Sequence, residues 1–318
     1  MRYGLYTHVM EYRLLFELPA FLLGLLFGSF LNVCIARLPQ GLSVITPRSH
    51  CPECNRAIRW HDNVPLLSWI LLRRRCRDCG LPIPARYPMV ELAVGVWFAI
   101  AAYVFSTTLS ATTQTTEQLA FAVLGTLGAA ILGFLLIGLM VMDWQTMLLP
   151  DAFTLSGIAI GFFLVCIQAV FLGPNEDQIN LTSHHIQLAS PGNVVDRGNL
   201  FFTGPEALIM GRMAAICGVA LLLLAIRSLY KTMRKREGMG LGDVKMLAMI
   251  AAFLGFWPAV LALFAGVLSA CAYAVALLLR GRANAATRLP FGSFLAIGGL
   301  VAALFGGPII AAYATLLR

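Results

Sequence analysis

Charged residues are scarce in this 318-residue chain, where Asp, Glu, Lys and Arg together make up only 12%. Soluble globular domains carry about 25% charged residues, so a soluble fold is excluded for most of the sequence. Hydrophobic residues account for 59%, and the mean hydropathy is +0.81. The chain is therefore predicted to lie mostly in lipid.

Apolar segments of a length typical of membrane spans recur along the whole sequence. Since backbone groups cannot remain unpaired in lipid, these segments should be helices. The sequence thus predicts an all-α polytopic integral membrane protein with about eight transmembrane helices. The last three segments include a short one, 244–257, which is expected to be tilted or partly re-entrant. The eight segments are 19–36, 89–106, 119–142, 152–172, 207–229, 244–257, 259–279 and 291–316.

Three regions follow from the alternation of apolar and polar sequence. Residues 1–37 are expected to form an N-terminal segment and the first transmembrane helix. Residues 38–88 form the one polar module of useful size, between the first and second helices. Residues 89–318 form a transmembrane domain that includes a long external loop, 173–206.

Positive charge is distributed unevenly among the polar segments. Of 23 Lys and Arg residues, nine fall in 37–86, five in 231–245 and three in 280–288, whereas 107–118 and 173–206 hold a single Arg. Because positively charged loops stay cytoplasmic, the N-terminus and the two loops with almost no Lys or Arg are predicted to face outward. We interpret the net charge of +8 as membrane topology, with contacts to anionic lipid, and we expect no nucleic-acid partner.

Two Cys-x-x-Cys pairs, Cys51/Cys54 and Cys76/Cys79, lie in the 38–88 module and are separated by 21 residues. This spacing is typical of a four-thiolate zinc site, and a metal would stabilise a module with so small a core. Two disulfides or free thiols are the alternatives, and cytoplasmic placement argues against disulfides. Four further cysteines lie in the apolar segments and are interpreted as small packing residues: Cys34, Cys166, Cys217 and Cys271.

Four carboxylates lie near the ends of apolar segments, where an ionisable group is costly and therefore a functional candidate. Glu91 is interpreted as complementing the positive end of its helix, and Asp151, which follows Pro150, as a helix N-cap. Asp143 closes a helix, where the dipole disfavours negative charge, so capping does not explain it. Asp243, considered alone, fits a helix cap and a catalytic residue equally well.

Topology favours Asp143 and Asp243 as a pair, because both are predicted at cytoplasmic ends of spans. Two carboxylates a few Å apart share a proton, so one can act as base and the other as acid. This is the chemistry of aspartic proteolysis. Gly240 and Gly242 would then leave room for an extended substrate backbone. Asp151 is a poorer partner for Asp143, since eight helical residues correspond to about 12 Å.

Several motifs occur together in one order, and with that order and spacing the chain resembles the type IV prepilin peptidases over nearly its whole length. Beside the two cysteine pairs, the resemblance rests on GSFLNVCIARLP (Gly28–Pro39), NVPLLSWILLR (Asn63–Arg73), RYPMVEL (Arg86–Leu92), DWQTMLLPD (Asp143–Asp151), GMGLGD (Gly238–Asp243) and PFGSFLAIG (Pro290–Gly298).

The resemblance implies an aspartic endopeptidase of the bacterial inner membrane that removes the leader of prepilins and pseudopilins on the cytoplasmic side. It implies that Asp143 and Asp243 are catalytic and that the four cysteines bind zinc. It further implies methylation of the new N-terminus from S-adenosylmethionine, and pilus or type II secretion assembly machinery as partners. Family members often carry glycine where this chain has Arg74, so a peptidase without methyltransferase activity is the alternative.

A function of a different class, an intramembrane-carboxylate proton-coupled transporter, would also use two buried acids. It would explain Asp143 and Asp243 but neither the glycines before Asp243 nor the paired cysteines. An inactive assembly component is a further alternative, which the intact acids argue against. In the external loop, the adjacent His184 and His185 are interpreted as solvated rather than as metal ligands.

Overall fold

The computed structural model describes residues 2–111, 115–171, 179–182, 185–188, 205–235, 240–281 and 289–316. Within these residues the protein is almost entirely helical, with one short antiparallel strand pair in the external loop. The helices are α1 (Arg2–Arg37), α2 (Leu67–Leu71), α3 (Arg86–Ala111), α4 (Thr116–Thr146), α5 (Asp151–Phe171), α6 (Pro205–Arg234), α7 (Leu241–Leu254), α8 (Phe256–Leu279) and α9 (Phe291–Leu316). Short 3-10 turns cover Leu38–Gln40 and Trp60–Asn63, and the strands are β1 (Ile179–Thr182) and β2 (His185–Leu188).

The prediction of an all-α membrane protein is confirmed, since every one of the eight apolar segments forms a helix. Seven helices among the described residues are long and apolar enough to cross a membrane: α1, α3, α4, α5, α6, α8 and α9. The eighth, α7, has 14 residues, which corresponds to about 21 Å of rise against a hydrocarbon core of about 30 Å. The sequence therefore predicted correctly that this segment is too short for an ordinary span.

Helix α7 lies at the centre of the bundle. It packs against α5, α6, α8 and α9, and the side chains from Met246 to Ala252 are all buried. A helix that is apolar on every side is stable only when other helices surround it, or when lipid does. Here the neighbours provide that environment, and α7 holds Asp243 near its first turn.

A single residue, Gly255, joins α7 to α8. Its φ of +91° lies in the region that glycine adopts without a steric penalty, and its N–H donates to the Ala251 carbonyl. An Arg212 guanidinium nitrogen from α6 lies 3.4 Å from the same carbonyl. The turn and the cation therefore share one carbonyl in the last turn of α7.

Close helix contacts elsewhere depend on glycine. A β-carbon built onto Gly298 of α9 would lie 2.0 Å from the Ala262 carbonyl oxygen of α8. One built onto Gly28 of α1 would lie 2.6 Å from the Glu91 Cα of α3. These two helix pairs therefore pack backbone against backbone.

The cysteines outside the module do not all behave as predicted. Cys34 is buried in the core, as expected of a small packing residue, and Cys166 is half-buried. Cys217 and Cys271 are exposed on α6 and α8, so the packing interpretation is wrong for both. His184 lies outside the described residues, as does most of the external loop.

Candidate active site and metal centre

Asp143 lies three residues before the end of α4 and is 5% exposed. Its Oδ2 accepts a hydrogen bond from the Ser293 backbone N–H at 2.6 Å and lies 3.1 Å from the Ser293 hydroxyl, which also donates to the Met140 carbonyl at 2.9 Å. Ser293 is the third residue of α9 and is 1% exposed. The amino end of one helix thus compensates for the unfavourable carboxyl end of the other.

Asp243 is the third residue of α7 and is buried. Its Oδ2 accepts a hydrogen bond from the Gly240 N–H at 3.2 Å, so the carboxylate does satisfy the start of its own helix. The cap and the catalytic interpretation of this residue therefore do not exclude each other. The carboxylate of Asp243 lies at the amino end of its own helix, and that of Asp143 lies at the amino end of α9, where partial positive charge favours an anion.

The Leu149 side chain lies between the start of α7 and the start of α9. A β-carbon on Gly242 would lie 3.0 Å from Leu149 Cβ, and one on Gly292 would lie 3.0 Å from both Leu149 Cδ1 and the Asp143 carboxylate. The Asp143 and Asp243 carboxylates are close enough to interact electrostatically. The structure thus brings the two predicted acids into one buried site. It also fills the space over Gly242 with the chain's own leucine. Of the described residues other than its chain neighbours, only Asp243 and the Gly242 backbone lie within 4 Å of a β-carbon built onto Gly240.

The prediction that Asp151 is an N-cap is wrong, because α5 begins at Asp151 itself. Its carboxylate is 59% exposed and accepts a hydrogen bond from Lys245 Nζ at 2.6 Å. This ion pair connects the start of α5 to the second turn of α7. Asp151 therefore lies at the edge of the site and not in the buried pair.

Sequence reasoning missed Ser293 and Leu149. The PFGSFLAIG motif had been recognised, but nothing in it shows which acid α9 would meet. A polar residue just inside a helix start is a weak sign of an anion site, and only the packing of α9 on α4 assigns it to Asp143.

The four module cysteines form a compact cluster. The sulfurs of Cys51, Cys54, Cys76 and Cys79 all lie within 4.8 Å of one another, and Cys51 Sγ is 3.7 Å from Cys79 Sγ. In a tetrahedral zinc site with Zn–S bonds of about 2.3 Å, neighbouring sulfurs are about 3.8 Å apart. All eight cysteines of the chain are free thiols in the structure. The cluster could hold a metal ion as it stands.

Both cysteine pairs are built on the same backbone turn. The N–H of Asn55 donates to the Cys51 carbonyl at 2.9 Å, and the N–H of Gly80 donates to the Cys76 carbonyl at 3.0 Å. Asn55 and Gly80 have φ angles of +54° and +73°, which Asn and Gly tolerate best. Backbone hydrogen bonds from Cys79 and Asp78 lower the pKa of the Cys76 thiol to about 7, which favours the thiolate that binds metals.

Polar contacts tie the module together and to the membrane helices. Arg77 binds both carboxylate oxygens of Asp62, at 2.6 and 2.9 Å, and this hydrogen bonding lowers the pKa of Asp62. Arg86 donates to the Gln145 side chain at 2.6 Å, two residues beyond Asp143 on the chain. The module therefore contacts the same end of α4 that carries Asp143.

The interpretation of Glu91 as a charge that complements its helix dipole is wrong. Since α3 begins at Arg86, Glu91 is its sixth residue, beyond the first turn. The side chain is buried, and its Oε2 accepts a hydrogen bond from the Leu66 N–H at 2.8 Å. Leu66 has a φ of +60° and immediately precedes α2. Glu91 therefore attaches the module to α3.

Comparison with known proteins identifies the family of the chain. Residues 22–105 match the bacterial peptidase A24 N-terminal domain, and residues 194–275 match the type IV leader peptidase family. A prepilin leader peptidase/N-methyltransferase of Burkholderia pseudomallei (strain K96243) is 34% identical to this chain, over 91% of the chain and 85% of that protein. The chain belongs to the type IV leader peptidase family.

Other relatives with the same name support the assignment to this family. One from Aeromonas hydrophila is 32% identical over 93% of the chain and 92% of that protein, and one from Klebsiella pneumoniae is 34% identical over 78% and 89%. No solved structure matches the chain. The first matched segment of this family member contains all four module cysteines, and the second contains Asp243.

Proposed function

We propose that this member of the type IV leader peptidase family cleaves the leader peptide from prepilins and pseudopilins. The observation that carries the proposal is the pair of buried aspartates, Asp143 and Asp243. Each carboxylate meets the amino end of a helix, and the two are close enough to interact electrostatically. Membership of the family and the names of the relatives support the same reaction.

The hydrogen bonds suggest different roles for the two acids. Two adjacent carboxylates cannot both carry charge easily, so one proton is shared between them. The amide of Ser293 donates to Asp143, its hydroxyl lies within donating distance of the same oxygen, and both favour the charged form of Asp143. In the proposal, Asp143 accepts a proton from water as the water oxygen attacks the scissile carbonyl carbon, and Asp243 donates its proton to the carbonyl oxygen. When the C–N bond breaks, Asp143 gives its proton to the leaving amine, and a hydroxyl of the tetrahedral intermediate returns its proton to Asp243 as the new carboxyl group forms. The two acids are then back in their shared-proton state.

For the module we propose zinc as the metal, held by Cys51, Cys54, Cys76 and Cys79. Four cysteine sulfurs within 4.8 Å of one another support this ion, and its role would be structural because all four positions would be occupied by protein.

We also propose that the enzyme methylates the new N-terminal amine, with S-adenosylmethionine supplying the methyl group. The support is the N-methyltransferase activity in the relatives' names, and no residue of this chain is assigned to the donor. Arg74, at a position where family members often carry glycine, stacks on Trp69 in the module.

The proposed location is the bacterial inner membrane, with the N-terminus outside and both sites on the cytoplasmic side. The positively charged segments support this orientation, since the module, the loop before α7 and the loop before α9 share the charge. The proposed partners are the assembly machineries of pili or type II secretion.

The experiment that tests the function is incubation of the purified protein with a prepilin and labelled S-adenosylmethionine. Leader removal and methyl transfer are scored separately. We expect Asp143→Asn and Asp243→Asn each to abolish cleavage while the protein remains folded. Asp151→Asn is the matched control, and it should retain most activity because its exposed ion pair lies outside the buried site.

Substantial cleavage by either buried-site variant would refute the aspartate pair. Cleavage without methyl transfer would leave a peptidase alone. If the wild type transports protons but cleaves no prepilin, and both aspartate variants lose that transport, the protein is a transporter instead.

A further inference from the structure

The short helix α2 presents its apolar side chains outward. Leu67, Ile70 and Leu71 occupy positions i, i+3 and i+4, which place them on one helix face, and they are 56%, 66% and 73% exposed. On the other side, Ser68 is buried and its hydroxyl donates to the His61 carbonyl at 3.1 Å. This pattern is the reverse of a helix in a soluble module, which would turn its apolar stripe toward the core.

The position of α2 relative to the membrane follows from one hydrogen bond. Leu66, the residue before α2, donates to the buried carboxylate of Glu91. Glu91 is five residues beyond the start of α3, or about 8 Å along a helix that crosses the membrane. Helix α2 is therefore held beside the first turns of a membrane span, at the level of the bilayer surface.

Three consecutive arginines, Arg73, Arg74 and Arg75, follow α2 after one residue, Leu72, and are all exposed. No carboxylate in the described part of the chain forms an ion pair with any of them. The Arg74 guanidinium lies 4.8 Å from the centre of the ring of Trp69, a residue of α2 itself, so at least this cation stays beside the helix. Apolar side chains with cations at one edge are the pattern of a helix that lies in a membrane interface.

We propose that α2 is an interfacial helix. In this arrangement Leu67, Ile70 and Leu71 enter the acyl boundary of the leaflet next to the module, and Arg73–Arg75 bind the phosphates of anionic lipids. The complementary charge identifies the ligand as an anionic phospholipid headgroup. The contact fixes the module against the bilayer and does not depend on the proposed proteolysis. It also accounts for Arg74, which the active site and the cysteine cluster leave without a role.

The lipid specificity can be tested on the full-length protein in vesicles of phosphatidylcholine mixed with phosphatidylglycerol. After gentle extraction, the ratio of the two lipids that remain bound is measured by mass spectrometry. Each arginine near an anionic surface increases the binding constant for that surface by a factor of about five. The R73Q/R74Q/R75Q variant should therefore lose most of the phosphatidylglycerol enrichment. The matched control, R48Q/R56Q/R59Q, removes the same charge from the same module and should retain it. Equal losses in both variants would overturn the proposal.

The insertion of α2 can be tested without removing any charge. A photoreactive benzoylphenylalanine replaces Ile70, or replaces Ile58 as a control of the same residue type elsewhere on the module. On illumination in the same vesicles, position 70 should yield several times more lipid adduct than position 58. Adducts at position 70 that are mainly with protein, a second copy included, would overturn the proposal, as would equal lipid adducts at both positions.

Discussion

Removing the Ser293 hydroxyl tests which of the two acids, Asp143 or Asp243, carries the proton that the proposed mechanism shares between them. Replacing Ser293 with Ala removes the hydroxyl 3.1 Å from Asp143 Oδ2 but keeps the backbone N–H that donates at 2.6 Å. A hydrogen bond to a charged group contributes about 1.5–3 kcal/mol. Because the single hydroxyl proton is also attracted by the Met140 carbonyl at 2.9 Å, we take the lower part of that range. A loss of about 1.5–2 kcal/mol shifts the shared proton toward Asp143, so the productive protonation state is less populated and the rate falls by up to about 10- to 30-fold.

The assay is steady-state cleavage of a prepilin, with kcat and KM determined separately. Since Ser293 is buried and contacts the acid rather than the substrate, kcat should fall while KM stays constant. Ser293→Thr keeps a hydroxyl and should recover most of the rate. Ser269→Ala is the matched control, because within the described part of the chain that hydroxyl bonds only to a carbonyl of its own helix, that of Gly266. An unchanged kcat for Ser293→Ala, or equal effects in Ser293 and Ser269 variants, would refute the reasoning.

Three further predictions concern the metal centre and the helix contacts. Cys51→Ser should release zinc, as measured by metal analysis of the purified protein, and a wild type without zinc would contradict the metal assignment. Gly292→Ala should reduce kcat at least as much as loss of the serine hydroxyl, because its β-carbon would lie 3.0 Å from the active-site carboxylate; full activity would show that the site adapts. Gly298→Ala should lower the thermal unfolding temperature in detergent, since a β-carbon 2.0 Å from the Ala262 carbonyl must push α8 and α9 apart. Gly307→Ala, on the same helix, is the control and should have little effect, because a β-carbon there would meet none of the neighbouring described residues within 4 Å. Equal shifts in unfolding temperature for the two variants would contradict the packing argument.

The features that the sequence predicted well depend on the membrane or on metal chemistry. Lipid requires helices and limits where charge can lie, so hydropathy located every helix of the bundle. The same topology placed Asp143 and Asp243 at one membrane level before any contact was known. Cysteine spacing predicted a cluster for a similar reason, because four sulfurs around one ion admit few arrangements.

The wrong predictions about carboxylates concern side chains whose hydrogen-bond partners lie far away in the sequence. Glu91 and Asp151 were both assigned to their own helix ends, because the sequence shows a residue's neighbours along the chain and nothing else. In the structure Glu91 binds the backbone of Leu66 and Asp151 binds Lys245, at sequence separations of 25 and 94 residues. Ser293 was missed for the same reason, since it lies 150 residues from Asp143.

The depth of Asp243 follows from the two ends of α7. The bond between Lys245 and Asp151 fixes the start of α7 level with the start of α5, at the membrane surface where water is available. Since α7 rises only about 21 Å in a core of about 30 Å, its other end must stop inside the bilayer. Carbonyl groups that end there need a donor, and the Arg212 guanidinium beside Ala251 provides one together with the turn at Gly255. An arginine within a span is thus explained by the same short helix that brings Asp243, the proposed catalytic acid, to the surface.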